Sequence, residues 1–240
     1  MKKSAVITQS NYIPWKGYFD QIRSCDYFML YDCVQYTRRD WRNRNQIKTP
    51  QGPKWLTIPV NVKGKFNAPI NAMEVADHEW AEQHWNMIRH NYRQAPCFSE
   101  LENFFCNLYE LAAKETLLSK VNYLFLSEIC RKIGITTPFY FSEDYELKDD
   151  KNERLVSLCK QLQVTNYISG PAAKDYLDVG AFDNEGISVE WFNYGTYPDY
   201  PQQHGPFTHA VSIIDLMMAV GDQTLSFIEN KVVEPQQLAV

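Results

Sequence analysis

Short apolar runs alternate along this chain with longer stretches in which large side chains recur every three or four residues, and these two periods separate strands from helices. Ala5 to Ile7 is a brief β-prone run. Pro14 and Gly17 then punctuate the chain, Tyr18, Phe19 and Ile22 resume at helical spacing, and a second apolar run covers Tyr27 to Tyr31. The order is strand, glycine-containing loop, helix, strand. Further on, NRNQIKT and KWLTIPV are β-prone and flank the turn-forming residues Pro50 to Pro53, which predicts a hairpin.

From Asp77 to Tyr92 the pattern turns helical, with Trp80, His84, Trp85, Ile88 and Tyr92 on one broad face, until Pro96 breaks it. Ser99 to Leu111 and Leu117 to Ile133 repeat the helical spacing, and Gly134 stops the second of them. The three helices make 77–134 a helical insertion or subdomain within a chain read as one α/β domain over 1–240. An α/β rhythm then returns: strand Thr137 to Ser142, helix Asn152 to Gln163, strand Thr165 to Ser169, helix Ala172 to Leu177 and strand Val189 to Phe192. The segment Asn193 to Phe207, rich in Pro, Gly and Tyr, reads as a substrate-covering lid, and Ile213 to Val220 as a closing helix. This alternation predicts an α/β fold with a Rossmann-like parallel sheet.

Composition narrows the class without naming a chemistry. The 240 residues are 45% hydrophobic and 22% charged, the balance of a folded globular protein rather than a disordered one. No run approaches a membrane span and no signal-peptide pattern opens the chain, so the expectation is a cytoplasmic protein with no membrane insertion. The six cysteines form no CxxC pair and read as reduced thiols. His78, His84 and His90 fall six apart, which turns successive side chains about 240° around a helix, so no metal site is expected.

Two loops and one charged window carry the candidate chemistry. In a parallel α/β sheet, ligands bind where a strand's carboxyl end meets the following helix. That geometry selects Gln9, Asn11, Tyr12, Trp15 and Gly17 after the first strand, and Ser169, Gly170 and Lys174 after the strand ending in Ser-Gly-Pro. Between Arg38 and Lys65 there are eight basic residues against one acid, in a chain of net charge −5. So local a basic stretch suits a phosphorylated small molecule better than a nucleic acid, and Arg38, Arg39, Arg42 and Arg44 are placed to bind phosphate or carboxylate. Asp20, Asp32, His84 and Asp175 are the acid or base candidates.

The segments QSNYIPWKGYFDQI, DCVQYTRRDWRNRNQIKTPQG, KWLTIPV, EQHWNMIRHNYRQAPCF, NYISGPAAKDYLD and SIIDLMMAVG closely resemble the WbqC-like family of bacterial proteins. That family is associated with O-antigen and other surface-polysaccharide gene clusters, and the resemblance spans most of the chain. IPWKGYF is also similar in layout to the first-strand motif of nucleotidylyltransferases and pantothenate synthetases, but Trp15 and Tyr18 stand where those proteins carry histidines. YISGPAAKDYL is similar to the second phosphate motif of the same superfamily. Together the resemblances imply an enzyme of surface-glycan (lipopolysaccharide) biosynthesis. It would bind a nucleotide or nucleotide-linked amino sugar and transfer an acyl or aminoacyl group to a sugar amine. No cofactor is fixed by the residues, and ATP enters only as what an adenylated intermediate would need. The rival readings are a non-catalytic sugar-nucleotide-binding or scaffold protein and, less favoured by the net charge, a nucleic-acid binder using Trp41 and Trp55 as stacking groups.

Overall fold

A computed structural model of the chain describes residues 3–228. Its architecture follows from strand β1 (Ser4–Thr8), which is apolar on both faces and pairs in parallel with β2 (Tyr27–Leu30) on one side and β6 (Asn166–Ser169) on the other. β5 (Phe139–Phe141) extends the sheet beyond β2, and β7 (Ser188–Trp191) beyond β6, giving five parallel strands in the order β5-β2-β1-β6-β7. The register sets Val6 beside Phe28 and Ile168, and these three side chains enter one core, while Ala5, Ile7, Met29 and Tyr167 enter the other. A sheet buried on both faces is the usual state of parallel strands and explains why each run is short and continuously apolar.

Helices cover the two faces unequally. α1 (Lys16–Arg23), α2 (Glu79–Tyr92), α3 (Phe98–Ala112), α4 (Leu118–Ile133) and α7 (Ile213–Val220) share the core containing Val6. α5 (Lys151–Gln161) and α6 (Val179–Asp183) close the other face through Leu155, Leu158 and Phe182. The fold is therefore α/β and Rossmann-like. α4 ends at Gly134, whose φ of +84° only glycine adopts without strain, and Ile135 N donates back to the Cys130 carbonyl at 2.9 Å.

Several elements depart from the expected bounds. The helix expected at Ala172 to Leu177 is a 3-10 turn, Pro171–Asp175, and α6 follows it, started by the Asp178 carboxylate accepting from Ala181 N. α6 escapes a periodicity search because its five residues include a glycine and only one buried side chain. The expected hairpin is present as β3 (Arg44–Thr49) and β4 (Gly52–Thr57), and not all of its basic groups are at the surface. Lys48 is buried, its Nζ donating to Gln202 Oε1 and the Pro206 carbonyl.

The segment 193–207, expected to be a lid, is fastened at several points in this structure. Tyr197 OH donates to Asp20 Oδ2 at 2.8 Å, and Lys16 Nζ donates to the Pro198 carbonyl at 2.8 Å while lying over the Tyr197 and Tyr200 rings. The buried Asp215 carboxylate of α7 accepts from Tyr92 OH and Tyr200 OH, both at 2.7 Å, and from Gln202 Nε2 at 2.6 Å. Each of these anchors would have to break for the segment to swing away. Asp215→Ala is expected to leave these donors buried without an acceptor and to cost about 3 kcal/mol or more. Asp215→Asn, which keeps an acceptor oxygen, should cost less. Urea unfolding of both variants measures the difference, and equal losses would contradict the network's role. Amide exchange across 193–207 should be slow with or without added nucleotide, as expected of a strap.

Candidate functional site

Because β1 and β6 are adjacent and parallel, the chain leaves both at the same edge of the sheet. The strands on either side of this pair then follow in opposite directions, so the β1–β6 junction is the sheet's topological switch point, where a crevice opens outside the strand ends. Such a crevice is present in two lobes. The larger, about 640 Å³, lies among Thr8 and Gln9 at the end of β1, Tyr31 and Cys33 after β2, and Arg154 of α5. The smaller, about 270 Å³, lies among Ser169, Gly170, Gln21 and Tyr194. Thr8, Tyr167 and Tyr176 line both lobes and join them into one cleft.

Charge in the cleft comes from α5. Lys151 and Arg154 line its larger lobe, and Asp149 is the carboxylate there. Arg154 donates to the carbonyls of Lys148 and Asp149 at 2.5 and 2.9 Å and hydrogen-bonds Tyr31. Asp150 caps α5, its Oδ1 accepting from Asn152 N at 2.8 Å and Glu153 N at 3.0 Å. The helix's own amides are thus occupied, and side chains rather than the helix terminus must meet an anion. In the smaller lobe the space beside Gly170 is open: a Cβ there would come no nearer than 3.9 Å to Gln21 Nε2. Burial pushes the half-buried Cys33 thiol above its ordinary value, so it is a poor nucleophile at neutral pH.

Of the residues singled out in the sequence, Gln9, Ser169 and Gly170 line this cleft. The others are placed elsewhere. Tyr12 is fully buried in the helical core, edge-on to Trp80 and Phe125, because the chain after Ser10 turns inward rather than along the strand ends. Its hydroxyl sits 2.7 Å from Tyr109 OH and 3.0 Å from His84 Nδ1, while His84 hydrogen-bonds the Thr57 carbonyl. His84 is thereby a satisfied core histidine. Trp15 packs on Tyr194 and Tyr197 and needs Gly17 for close approach, since a Cβ at Gly17 would lie 2.3 Å from the indole. Asp20 is buried and holds Tyr197 and Arg23. Asn11 accepts from Arg42, whose guanidinium also reaches the Ser10 carbonyl. Arg38 and Arg39 are exposed on the hairpin side and Arg44 stacks on Trp55. Lys174 lies over the Trp191 ring, and Asp175 is exposed. Arg154, Lys151 and Tyr31 had no sequence signal: KNERLV and YFMLY read as an ordinary helix start and strand, and only the sheet order brings them together.

Asp32 is a buried, perturbed carboxylate near the strand ends. It is 2% exposed, it accepts from Ser10 N at 2.8 Å, and burial raises its pKa from 3.8 to about 6 against the opposing pull of Ser10 and Arg42. Ser10 is held in turn by Asn122 of α4, whose Nδ2 donates to Ser10 Oγ and to the Arg42 carbonyl, both at 2.9 Å. Burial acts on His84 in the other direction and lowers it from 6.5 to about 4. Among the described residues no group of three or more His, Cys, Asp or Glu could hold a metal ion, and no helix is long and apolar enough to cross a membrane.

The sheet order and its switch-point cleft define a Rossmann-like α/β protein that keeps the ligand-binding edge of that architecture. The WbqC-like protein family model matches residues 9–227, and the chain belongs to that family. A protein of Mycobacterium tuberculosis named Uncharacterized protein Rv1507c is 47% identical over 228 residues, covering 95% of this chain and 98% of its own. No solved structure matches the chain.

The two shifted groups oppose one another in pH. Asp32 is held protonated by the fold, so its contribution to stability is full below pH 3.8 and is lost as pH rises through about 6. His84 is held neutral, so its contribution is full above pH 6.5 and is lost as pH falls through about 4. Each span corresponds to about 3 kcal/mol. Asp32→Asn removes one arm, and its stability relative to the parent should rise by about 3 kcal/mol between pH 3.5 and pH 7. Urea midpoints across that range check this; parallel profiles would show that Asp32 titrates as an ordinary carboxylate.

Proposed function

We propose that the protein acts in bacterial surface-glycan assembly by binding a nucleotide or a nucleotide-linked amino sugar in the cleft at the β1–β6 switch point. The observation that carries this reading is the cleft itself: it opens at the ligand-binding edge of a Rossmann-like sheet and sets Lys151 and Arg154 on one wall. Membership of the WbqC-like family supports the pathway. The guanidinium of Arg154 suits a diphosphate because its planar fork donates two hydrogen bonds at once. Its carbonyl contacts hold that fork in place before the ligand arrives. Ser169, Gly170 and Gln21 in the smaller lobe offer polar contacts for the sugar.

In this reading the protein transfers an acyl or aminoacyl group to the sugar amine, and its own contribution is positioning, since bringing two reactants together accelerates amide formation without a protein nucleophile. Were ATP to supply the activation, Lys151 and Arg154 are the cleft residues that would hold its phosphates. A second reading, a sugar-nucleotide-binding protein without catalysis, is favoured by one observation. None of Asp20, Asp32, His84 and Asp175 lines the cleft, and Asp149 is the carboxylate that does.

Thermal unfolding with UDP-sugars, dTDP-sugars, ATP and coenzyme A tests the binding. A true ligand at ~100 times its Kd should stabilise the protein by about 2.7 kcal/mol. Arg154→Gln should weaken that ligand by about 2 kcal/mol with little change in the unliganded protein. No shift from any nucleotide, or an equal shift in the variant, would move binding away from this cleft. Mass spectrometry of an amino-sugar nucleotide incubated with acyl donors then separates the enzyme from the binding protein.

A further inference from the structure

We propose that the basic hairpin surface beside the cleft binds an acidic saccharide chain, with Trp41 and Trp55 as its stacking platform. The cleft does not use the arginine-rich window, and the fold leaves its aromatic groups outside. Trp41 and Trp55 are 43% and 39% exposed, although indoles are among the larger apolar groups a chain can bury. Their ring centroids lie 5.4 Å apart at a tilt of 38°, so the two indoles pack on one another as one exposed aromatic cluster rather than two isolated side chains. Arg44 lies over Trp55 with its guanidinium carbon 4.1 Å from the ring centroid, and it is tied in place by donating to the Arg39 carbonyl.

The cluster is positively charged. Arg38 and Arg39 are exposed three and two residues before Trp41. Asp40, the one acid between Arg38 and Lys65, is half-buried and partnered: its Oδ1 accepts from Trp41 N at 2.7 Å and its Oδ2 lies 3.6 Å from Arg42. An exposed indole fits the apolar face of a pyranose, and a guanidinium beside it fits a carboxylate on the same sugar. A nucleic acid fits less well. Polyphosphate chains require a basic groove followed over several nucleotides, whereas this is a single cluster on a protein of net charge −5. The arginine-rich window begins next to the cleft in the chain, since Gln35 and Thr37 line the larger lobe and Arg38 follows Thr37. The inference goes beyond the nucleotide reading and stands without it.

Isothermal titration of the full chain with tetragalacturonate, maltotetraose and oligothymidylate tests it. Tetragalacturonate should bind, with maltotetraose at least about tenfold weaker. Trp55→Ala and Arg44→Gln should each weaken tetragalacturonate at least about tenfold, as the loss of a central aromatic or arginine anchor does. Trp55→Ala should keep any thermal shift produced by nucleotides, so this surface and the cleft can fail separately. Should Trp55→Ala fail to fold, the exposed Arg39→Gln, also expected to weaken binding, takes its place. No binding of tetragalacturonate, equal binding of maltotetraose, or wild-type affinity in the variants would overturn the proposal. Tighter binding of oligothymidylate than of tetragalacturonate would assign the cluster to nucleic acid and overturn it equally.

Discussion

The parallel pairing of β1 with β6 is the constraint on which the rest of this molecule depends. It joins residues more than 150 positions apart, Val6 beside Ile168 and Ala5 beside Tyr167, and it divides the apolar side chains between two cores. A one-residue slip would send Val6 to the wrong face and Ala5 and Ile7 with it, so burial on both faces enforces the register. The same pairing brings two strand ends to one edge and sends their neighbours in opposite directions, which opens the cleft. Packing and ligand geometry are thus two consequences of one contact.

Around that contact the chain spends its buried polar groups on holding loops. Asp215, Asp20, Lys16 and Lys48 fasten the 193–207 segment, and Ser10, Asp32, Asn122 and Arg42 fasten the turn after β1. Burial pulls the Lys16 ammonium down to about 8, which shows how much solvation the strap takes from its anchors. Groups of this kind attract attention in a sequence because they are titratable and lie near glycines, prolines and aromatics. In the fold many of them already have partners, and a buried group with its hydrogen bonds satisfied has no free valence for a substrate.

The surface that remains available is made differently. Arg154, Lys151 and Tyr31 in the cleft and Arg44, Trp41 and Trp55 at the hairpin are half-buried or exposed.

Much of this architecture is written locally. The apolar runs at Ala5 to Ile7, Tyr27 to Tyr31 and Thr165 to Ser169, the helical period from Asp77 to Ile133, and the stop at Gly134 are each decided by neighbouring residues. Period and turn chemistry therefore carry them, together with the Rossmann-like class. The family is legible for the same reason, because its motifs are contiguous segments. Which strand lies beside which is not local, and neither is the burial of Tyr12, which depends on Trp80 and His84 of α2 and Tyr109 of α3 arriving beside it. The cleft belongs to this second kind. Thr8, Tyr31, Arg154 and Ser169 come from four separate elements, and only the long-range parallel pairing, whose free energy comes from burying both faces of β1 at once, makes them neighbours.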